Sequence, residues 1–270
     1  MIKAILLAPI QNSLYARLVA HLLTKEKYIE LAAIIVRSPL NIKRFRSEFR
    51  RDGTRLIRKI FQKLVVCDKR FTGNDEKNLA LLARQQNLQY RSLKSLASDL
   101  KIPYSVVPDH NHPRSLEIIG RLNPDIILFT GGGILRAPLL NIPRLGTLNC
   151  HTGILPQYRG MDVVEWTAVE RNIDSAGFGV TLHYMDEGVD TGPILIKKKM
   201  FASPDATFET IRAELETLMV DLMIQGVRQL AEGSLIPEQQ ALKEGRQYFV
   251  MHPRIKAAAI TRLEGQLKVS

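Results

Sequence analysis

Short aliphatic runs separated by helix-length amphipathic segments dominate this chain, and that alternation limits its fold more than any other feature. Ile2 to Leu7 reads as a buried strand. The turn Pro9-Ile10-Gln11-Asn12-Ser13 then leads into an apolar-periodic segment, Leu14 to Leu23, that Asn12 or Ser13 is placed to cap. Ile29 to Val36 (IELAAIIV) is aliphatic on both faces, as a parallel strand between two helical layers must be. Pro103 to Val107, Asp125 to Thr130 and Phe178 to Met185 read as further strands, with a helix expected over Arg114 to Arg121. Ile194 to Lys199 supplies one more strand. A long helix follows, with Ser203 expected as its cap, Pro204 in its first turn and Gly233 as its stop. The pattern predicts an α/β fold, a mostly parallel twisted sheet with helices on both faces. Its ligand belongs at the C-terminal ends of the strands.

The strand signal lapses between residues 37 and 100, which read as a helical insertion. Thr54 is a candidate cap for a helix with Leu56, Ile57, Ile60, Phe61, Leu64 and Val65 on one side, and Asn78 to Gln86 and Ser92 to Leu100 read as two more helices. Residues 37 to 72 hold twelve Lys and Arg against three acidic residues, +9 of the chain's +11. The charge is therefore one local patch, either the solvated back of a helix or a contact surface for phosphate or nucleic acid. Residues 1–233 form the expected catalytic domain, and 234–270 a short C-terminal extension.

With 45% hydrophobic and 24% charged residues the chain has the composition of an ordinary globular protein. No run approaches the roughly 20 apolar residues of a membrane span, and the N-terminal MIKAILLAPIQ lacks a signal peptide's apolar core, so a cytoplasmic protein is expected. Cys67 and Cys150 are too far apart in sequence to suggest a zinc ribbon, and His110 and His112 have no further clustered ligands, so no metal is expected.

The chemistry concentrates in Asn149-Cys150-His151-Thr152-Gly153-Ile154-Leu155-Pro156-Gln157-Tyr158-Arg159-Gly160, which begins at a strand end. Residues two apart on a strand share a face, so Asn149 and His151 project together and Cys150 points the other way. An amide donor beside an imidazole suits stabilisation of a developing oxyanion together with proton handling. Further on stand Gly179-Val180-Thr181-Leu182-His183 and Met185-Asp186-Glu187-Gly188-Val189-Asp190-Thr191-Gly192. His183 reads equally well as a pocket residue or as a satisfied core histidine.

These two stretches, in this order, resemble the formyltransferase family, whose signature is Asn-x-His, a Leu-Leu-Pro-aromatic-Arg/Lys-Gly run and a later Val-Asp-x-Gly turn. The chain departs from it in having Thr152-Gly153 where the family has Pro-Ser, and extra residues between Arg171 and Gly177. The resemblance spans residues 1 to about 230 and is most specific from 125 to 195. It implies a Rossmann-like formyltransferase domain and 10-formyltetrahydrofolate as formyl donor. By the same resemblance Asn149 would hydrogen-bond the formyl oxygen, a cationic His151 would add charge stabilisation, and Asp190 would take the amine's proton and hold His151. Gly133, Ile134 and Leu135, in the Gly131-Gly132-Gly133 loop, and Met185, Asp186, Glu187, Gly188 and Val189 would face the folate. Gln11, Asn12, Arg159 and Trp166 are the candidates for the acceptor side, with Trp166 equally able to pack a helix.

Three family branches differ in the acceptor. A glycine-rich turn after the first strand, which holds phosphate in the glycinamide-ribonucleotide enzymes, is absent from Pro9 to Ser13. The short tail is not expected to supply the C-terminal barrel of methionyl-tRNA formyltransferases, so tRNA is disfavoured although the basic segment keeps it open. The expected acceptor is a small-molecule amine, phosphorylated or nucleotide-linked, such as an amino sugar nucleotide or an amino acid derivative. A hydrolase releasing formate from the same donor is the alternative, and a homodimer is left open.

Overall fold

The computed structural model describes residues 1–38 and 78–268. The basic run and the helix expected from Thr54 lie outside the described residues. Strands β1 (Ile2–Ala8), β2 (Ile29–Arg37), β3 (Tyr104–Val107), β4 (Ile126–Phe129) and β5 (Gly146–His151) pair in parallel, in the order β3-β2-β1-β4-β5. Strands β7 (Phe178–Tyr184) and β8 (Ile194–Met200) extend the sheet antiparallel beyond β5. Among the described residues the sheet has seven strands and is mostly parallel, as its aliphatic runs predict.

Helices cover both faces. On one, α1 (Leu14–Leu23), α2 (Leu79–Gln85), α3 (Leu93–Asp99) and the long α7 (Phe208–Ala231) bury Leu18, Val19, Leu93, Leu215, Leu222 and Val227 against Leu6, Ile34, Leu128 and Leu182. On the other, α4 (Pro113–Leu122) and α5 (Ala137–Leu140) cover Ile5, Leu7, Ile35, Ile127 and Phe129. Each fully buried aliphatic side chain contributes about 1.5–3 kcal/mol, so this two-sided core is what holds the sheet. No helix among the described residues is long and apolar enough to cross a membrane.

The helix starts follow their caps. Ser13 accepts from Ala16 N, Asn78 from Leu81 N and Ser92 from Ser95 N. The expectation for the long helix needs correction: it begins at Phe208, not after Ser203. Thr207 and Thr210 form a reciprocal capping box, while the Ser203 carbonyl closes a separate turn by accepting from Ala206 N. Phe208 decides the boundary, because starting the helix there puts its ring, 5% exposed, into the core. The helix stops at Gly233, which takes φ +68.

The C-terminal extension folds back onto the body. Strand β9 (Arg246–Tyr248) pairs in parallel with β6 (Tyr158–Gly160), and α8 (Pro253–Leu267) lies on α6 (Val163–Val169). Glu165 of α6, with no exposed surface, anchors both Lys256 of α8 at 2.6 Å and Arg212 of α7.

Candidate active site

Strand β5 puts Asn149 and His151 on one face, and Cys150 on the other. The Cys150 Sγ lies 3.3 Å from the Met219 carbonyl, and burial pushes its thiol up to about 12, which rules out a thiolate nucleophile at neutral pH. Because β7 runs antiparallel to β5, Asn149 sits directly opposite His183 and His151 opposite Thr181. Cross-strand partners share a face, so His183 joins the pair.

Asp190 reaches the same point from the turn between β7 and β8. Its Oδ2 is 3.4 Å from His151 Nδ1, and its Oδ1 is 3.4 Å from His183 Nε2. Asn149 Nδ2 lies 3.2 Å from that same His183 nitrogen. Gly160 N donates to Asp190 Oδ2 at 3.0 Å, and Gln240 Nε2 donates to the carbonyls of Asp190 (3.0 Å) and Gly192 (2.6 Å).

Two backbone carbonyls fix where the ring protons sit. Tyr158 O lies 2.7 Å from His151 Nε2 and Tyr184 O 2.7 Å from His183 Nδ1, and since a carbonyl only accepts, each of these nitrogens carries hydrogen. His151 Nδ1 therefore faces the carboxylate. His183 Nε2 accepts from the Asn149 amide when unprotonated and donates to Asp190 when protonated, which leaves the second Asn149 N–H for a ligand.

Burial works against an ionised Asp190, but the His151 and His183 rings and the Gly160 N–H outweigh it and hold the carboxyl down to about 2. Burial also pushes His151 down from 6.5, with Asp190 opposing the shift. The resting site thus pairs a carboxylate with an imidazole whose cationic form burial disfavours, and an added proton would be shared between them.

Other expected site residues fall into separate groups. Gly131, Gly132 and Gly133 take φ of +112, +127 and +102, backbone that suits glycine and leaves the loop bare of side chains. Beside them Leu135 and Met185 pack into one apolar cluster while Ile134 is 71% exposed. In the loop after β7, Asp186 Oδ1 accepts from Gly188 N (3.1 Å) and Thr191 Oγ1 (2.6 Å), with Glu187 exposed and Val189 half-buried. Gln11 and Asn12 are exposed beyond β1, and the Gln11 carbonyl accepts from Leu93 N.

Arg159 and Trp166, expected on the acceptor side, both touch the C-terminal extension. Arg159 Nη2 donates to Gly245 O (3.2 Å), and Trp166 Nε1 donates to Phe249 O (3.1 Å) with its ring 5.4 Å from Tyr248. Both hold the C-terminal extension. Beyond Tyr158 opens a cavity of about 960 Å³ whose lining includes Lys197, Lys199, Lys243 and Arg246 against Glu170 and Glu244. The residues that sequence reasoning left undecided or missed are His183, Gly160 and Gln240. His183 had a signal in its place in a strand before the Asp190 turn and Gly160 in closing the Arg/Lys-Gly run, whereas Gln240 had none.

Residues 77–227 match the family model described as formyl transferase. The methionyl-tRNA formyltransferase of Syntrophus aciditrophicus (strain SB) is 35% identical over 148 residues, covering 54% of this chain and 46% of that protein. The chain thus spans about half the length of the curated relatives it matches. A sugar N-formyltransferase from Shewanella sp FDAARGOS_354 superposes with a TM-score of 0.58 at 13% identity, covering 97% of this chain and 88% of that one. The sugar 3N-formyl transferase WlaRD, solved in the presence of dTDP and 5-N-formyl-THF, superposes at 0.56 with 15% identity, covering 98% and 80%. At such identities the structural likeness is one of fold. The family model covers more than half of the sequence, and on that ground the chain belongs to the formyltransferase family.

Proposed function

We propose that this chain transfers the formyl group of 10-formyltetrahydrofolate to the amine of a small molecule, phosphorylated or nucleotide-linked, such as an amino sugar nucleotide or an amino acid derivative. The observation that carries the reading is the convergence of Asn149, His151 and His183 on an Asp190 carboxyl held down to about 2. The bare Gly131–Gly133 backbone and the partly buried Met185 suit the pterin ring of the donor, and WlaRD, of the same fold, is described with a formylated folate.

The donor supplies an activated formyl carbon. The Asn149 N–H not directed at His183 donates to the formyl oxygen as negative charge develops there, an interaction worth roughly 3–4 kcal/mol in comparable acyl-transfer sites. Asp190, ionised and braced by Gly160 N, takes the proton that the attacking amine loses. His151, its Nε2–H fixed on Tyr158 O, relays that proton through Nδ1 to the folate nitrogen as its bond to the formyl carbon breaks, so that the amine keeps the formyl group and tetrahydrofolate leaves.

A second reading, a methionyl-tRNA acceptor, is favoured by the names of the sequence relatives. The deciding experiment mixes the purified protein with 10-formyltetrahydrofolate and either a panel of amino sugar nucleotides and amino acids or charged initiator tRNA, following tetrahydrofolate release. Release with one small amine supports the first reading, release with tRNA the second, and release with no amine a hydrolase. No turnover and no binding of 5-formyltetrahydrofolate by calorimetry overturns the transferase reading altogether.

A further inference from the structure

We infer that Gln240, from the C-terminal extension, is a positioning residue for Asp190: its carboxamide fixes the turn from which the site's carboxylate projects. The role in catalysis rests on the reading above, whereas the restraint itself does not. Gln240 Nε2 reaches the carbonyls of both Asp190 and Gly192, at 3.0 and 2.6 Å, so both amide hydrogens are engaged on the two sides of Thr191. A flipped amide would set its oxygen against two carbonyl oxygens, so the orientation is determined by what it touches.

The turn needs such a restraint. Asp190 has φ +54, in the left-handed region that costs a non-glycine residue about 1–2 kcal/mol and persists only where surroundings enforce it. On the other side, a side-chain carbon at Gly192 would lie 2.0 Å from Tyr184 O, so the turn is pressed onto the end of β7. Gly160 N restrains the carboxylate end of Asp190, and Gln240 restrains its backbone end.

Gln240 is itself held in place. Two residues before it, Glu238 and Ile194 exchange backbone hydrogen bonds, each 2.8 Å, which ties the extension to the first residue of β8. The second restraint depends on the extension too, because Gly160 is paired with Tyr248 through β6 and β9. Gln240 lies beyond the 77–227 stretch matched by the family model. The extension therefore completes the site rather than merely covering it. With Asp190 3.4 Å from each imidazole, a turn shifted by an ångström breaks both contacts, and a displacement of that size costs on the order of 100-fold in rate.

The test compares Gln240→Ala and Gln240→Glu with wild type in the full chain; the glutamate keeps the volume but opposes oxygens to the two carbonyls. Expected for both are a kcat lower on the order of 100-fold with an unchanged KM for the donor, and a melting temperature close to wild type. With 13C-labelled histidine, the His151 titration should move to lower pH in Gln240→Ala, because the carboxylate that favours its cationic form has withdrawn without a new charge in its place. Wild-type kcat together with an unmoved His151 titration overturns the inference. So does a parallel collapse of melting temperature, KM and kcat, which marks a general structural role. If wild type transfers no formyl group to any amine, the proposed function fails, yet the histidine titration still judges Gln240.

Discussion

His183 Nε2 stands 3.4 Å from Asp190 Oδ1, the mirror of the contact that His151 makes with the other carboxylate oxygen. The same His183 nitrogen faces Asn149 Nδ2, so His183 touches both the oxyanion donor and the proton acceptor of the proposed reaction. We expect His183→Phe, which keeps the ring volume in a site 1% exposed, to lower kcat roughly 10- to 100-fold without raising the donor KM. Steady-state kinetics with the amine found in the panel check this. A variant with wild-type kcat would return His183 to the ordinary core.

Acid stability should be set by a histidine outside the site. His110 is fully buried, and burial, aided by the charge of Arg37 and opposed by Asp109 and the backbone of Ala8 and Ile35, pushes it from 6.5 down to about 4. The unfolded chain binds a proton below about pH 6.5 that the folded chain refuses, so this contribution to stability is complete above that pH and is lost as pH falls toward 4. At 1.36 kcal/mol per unit it amounts to about 3 kcal/mol. His151 is shifted the same way and adds to the loss, while Asp190 contributes only lower, between about 4 and 2. Thermal melts from pH 7.5 to 4 should therefore fall steeply for wild type and much less for His110→Leu. An equal slope in the two proteins would refute the assignment.

Gly153 stands where the family signature has serine, and the structure gives a reason. A side-chain carbon there would lie 2.7 Å from His151 Nε2 and 2.9 Å from Tyr158 O, the two atoms whose hydrogen bond orients the imidazole. Gly153→Ser should destabilise the fold by about 1–3 kcal/mol through overpacking. It should also cost turnover on the order of 100-fold, because the ring is displaced from Asp190. Chemical denaturation alongside kinetics separates the two effects, and a fully active Gly153→Ser would show that His151 has another orientation during turnover.

What could be read from the sequence were features with a local period or a local turn. Asn149 and His151 share a face because strands alternate, and the aliphatic runs of β1, β2 and β4 announce a buried parallel sheet. His183 stayed ambiguous because its partner across the strands, Asn149, lies 34 residues away, and antiparallel register cannot be deduced from either strand alone. Gln240 reaches backbone carbonyls 50 and 48 residues away and Gly160 N a carboxylate 30 residues away, contacts that no local pattern announces. That Arg159 and Trp166 reach the extension was not legible either, because their partners Gly245 and Phe249 lie 86 and 83 residues further on. The Ser203 cap failed for a related reason: tertiary burial of Phe208 outweighed a local Ser-Pro signal.

The same extension supplies the last prediction. Glu165, with no exposed surface, is ion-paired to Lys256 at 2.6 Å and to Arg212, so it joins α8 to α6 and α7. Arg212 keeps a second carboxylate, Asp162 at 3.7 Å, and Asp162 Oδ2 in turn accepts from Met251 N just before α8. Removing Glu165 therefore leaves Lys256 without its carboxylate, and this residue, 44% exposed at its side chain, turns to water instead of remaining a buried unpaired charge. The cost should stay below the several kcal/mol of a broken, fully buried pair, at roughly 1–3 kcal/mol for Glu165→Ala, and should fall mainly on the docking of α8. Trypsin should then cut at Lys256 or Arg262 under conditions where wild type is intact, before any global unfolding is seen by circular dichroism. Because Gln240 and β9 belong to the same extension, turnover should fall in step with that cleavage sensitivity. Equal protease resistance in Glu165→Ala and wild type would mean that β6–β9 pairing and the Trp166 contact suffice to hold the extension.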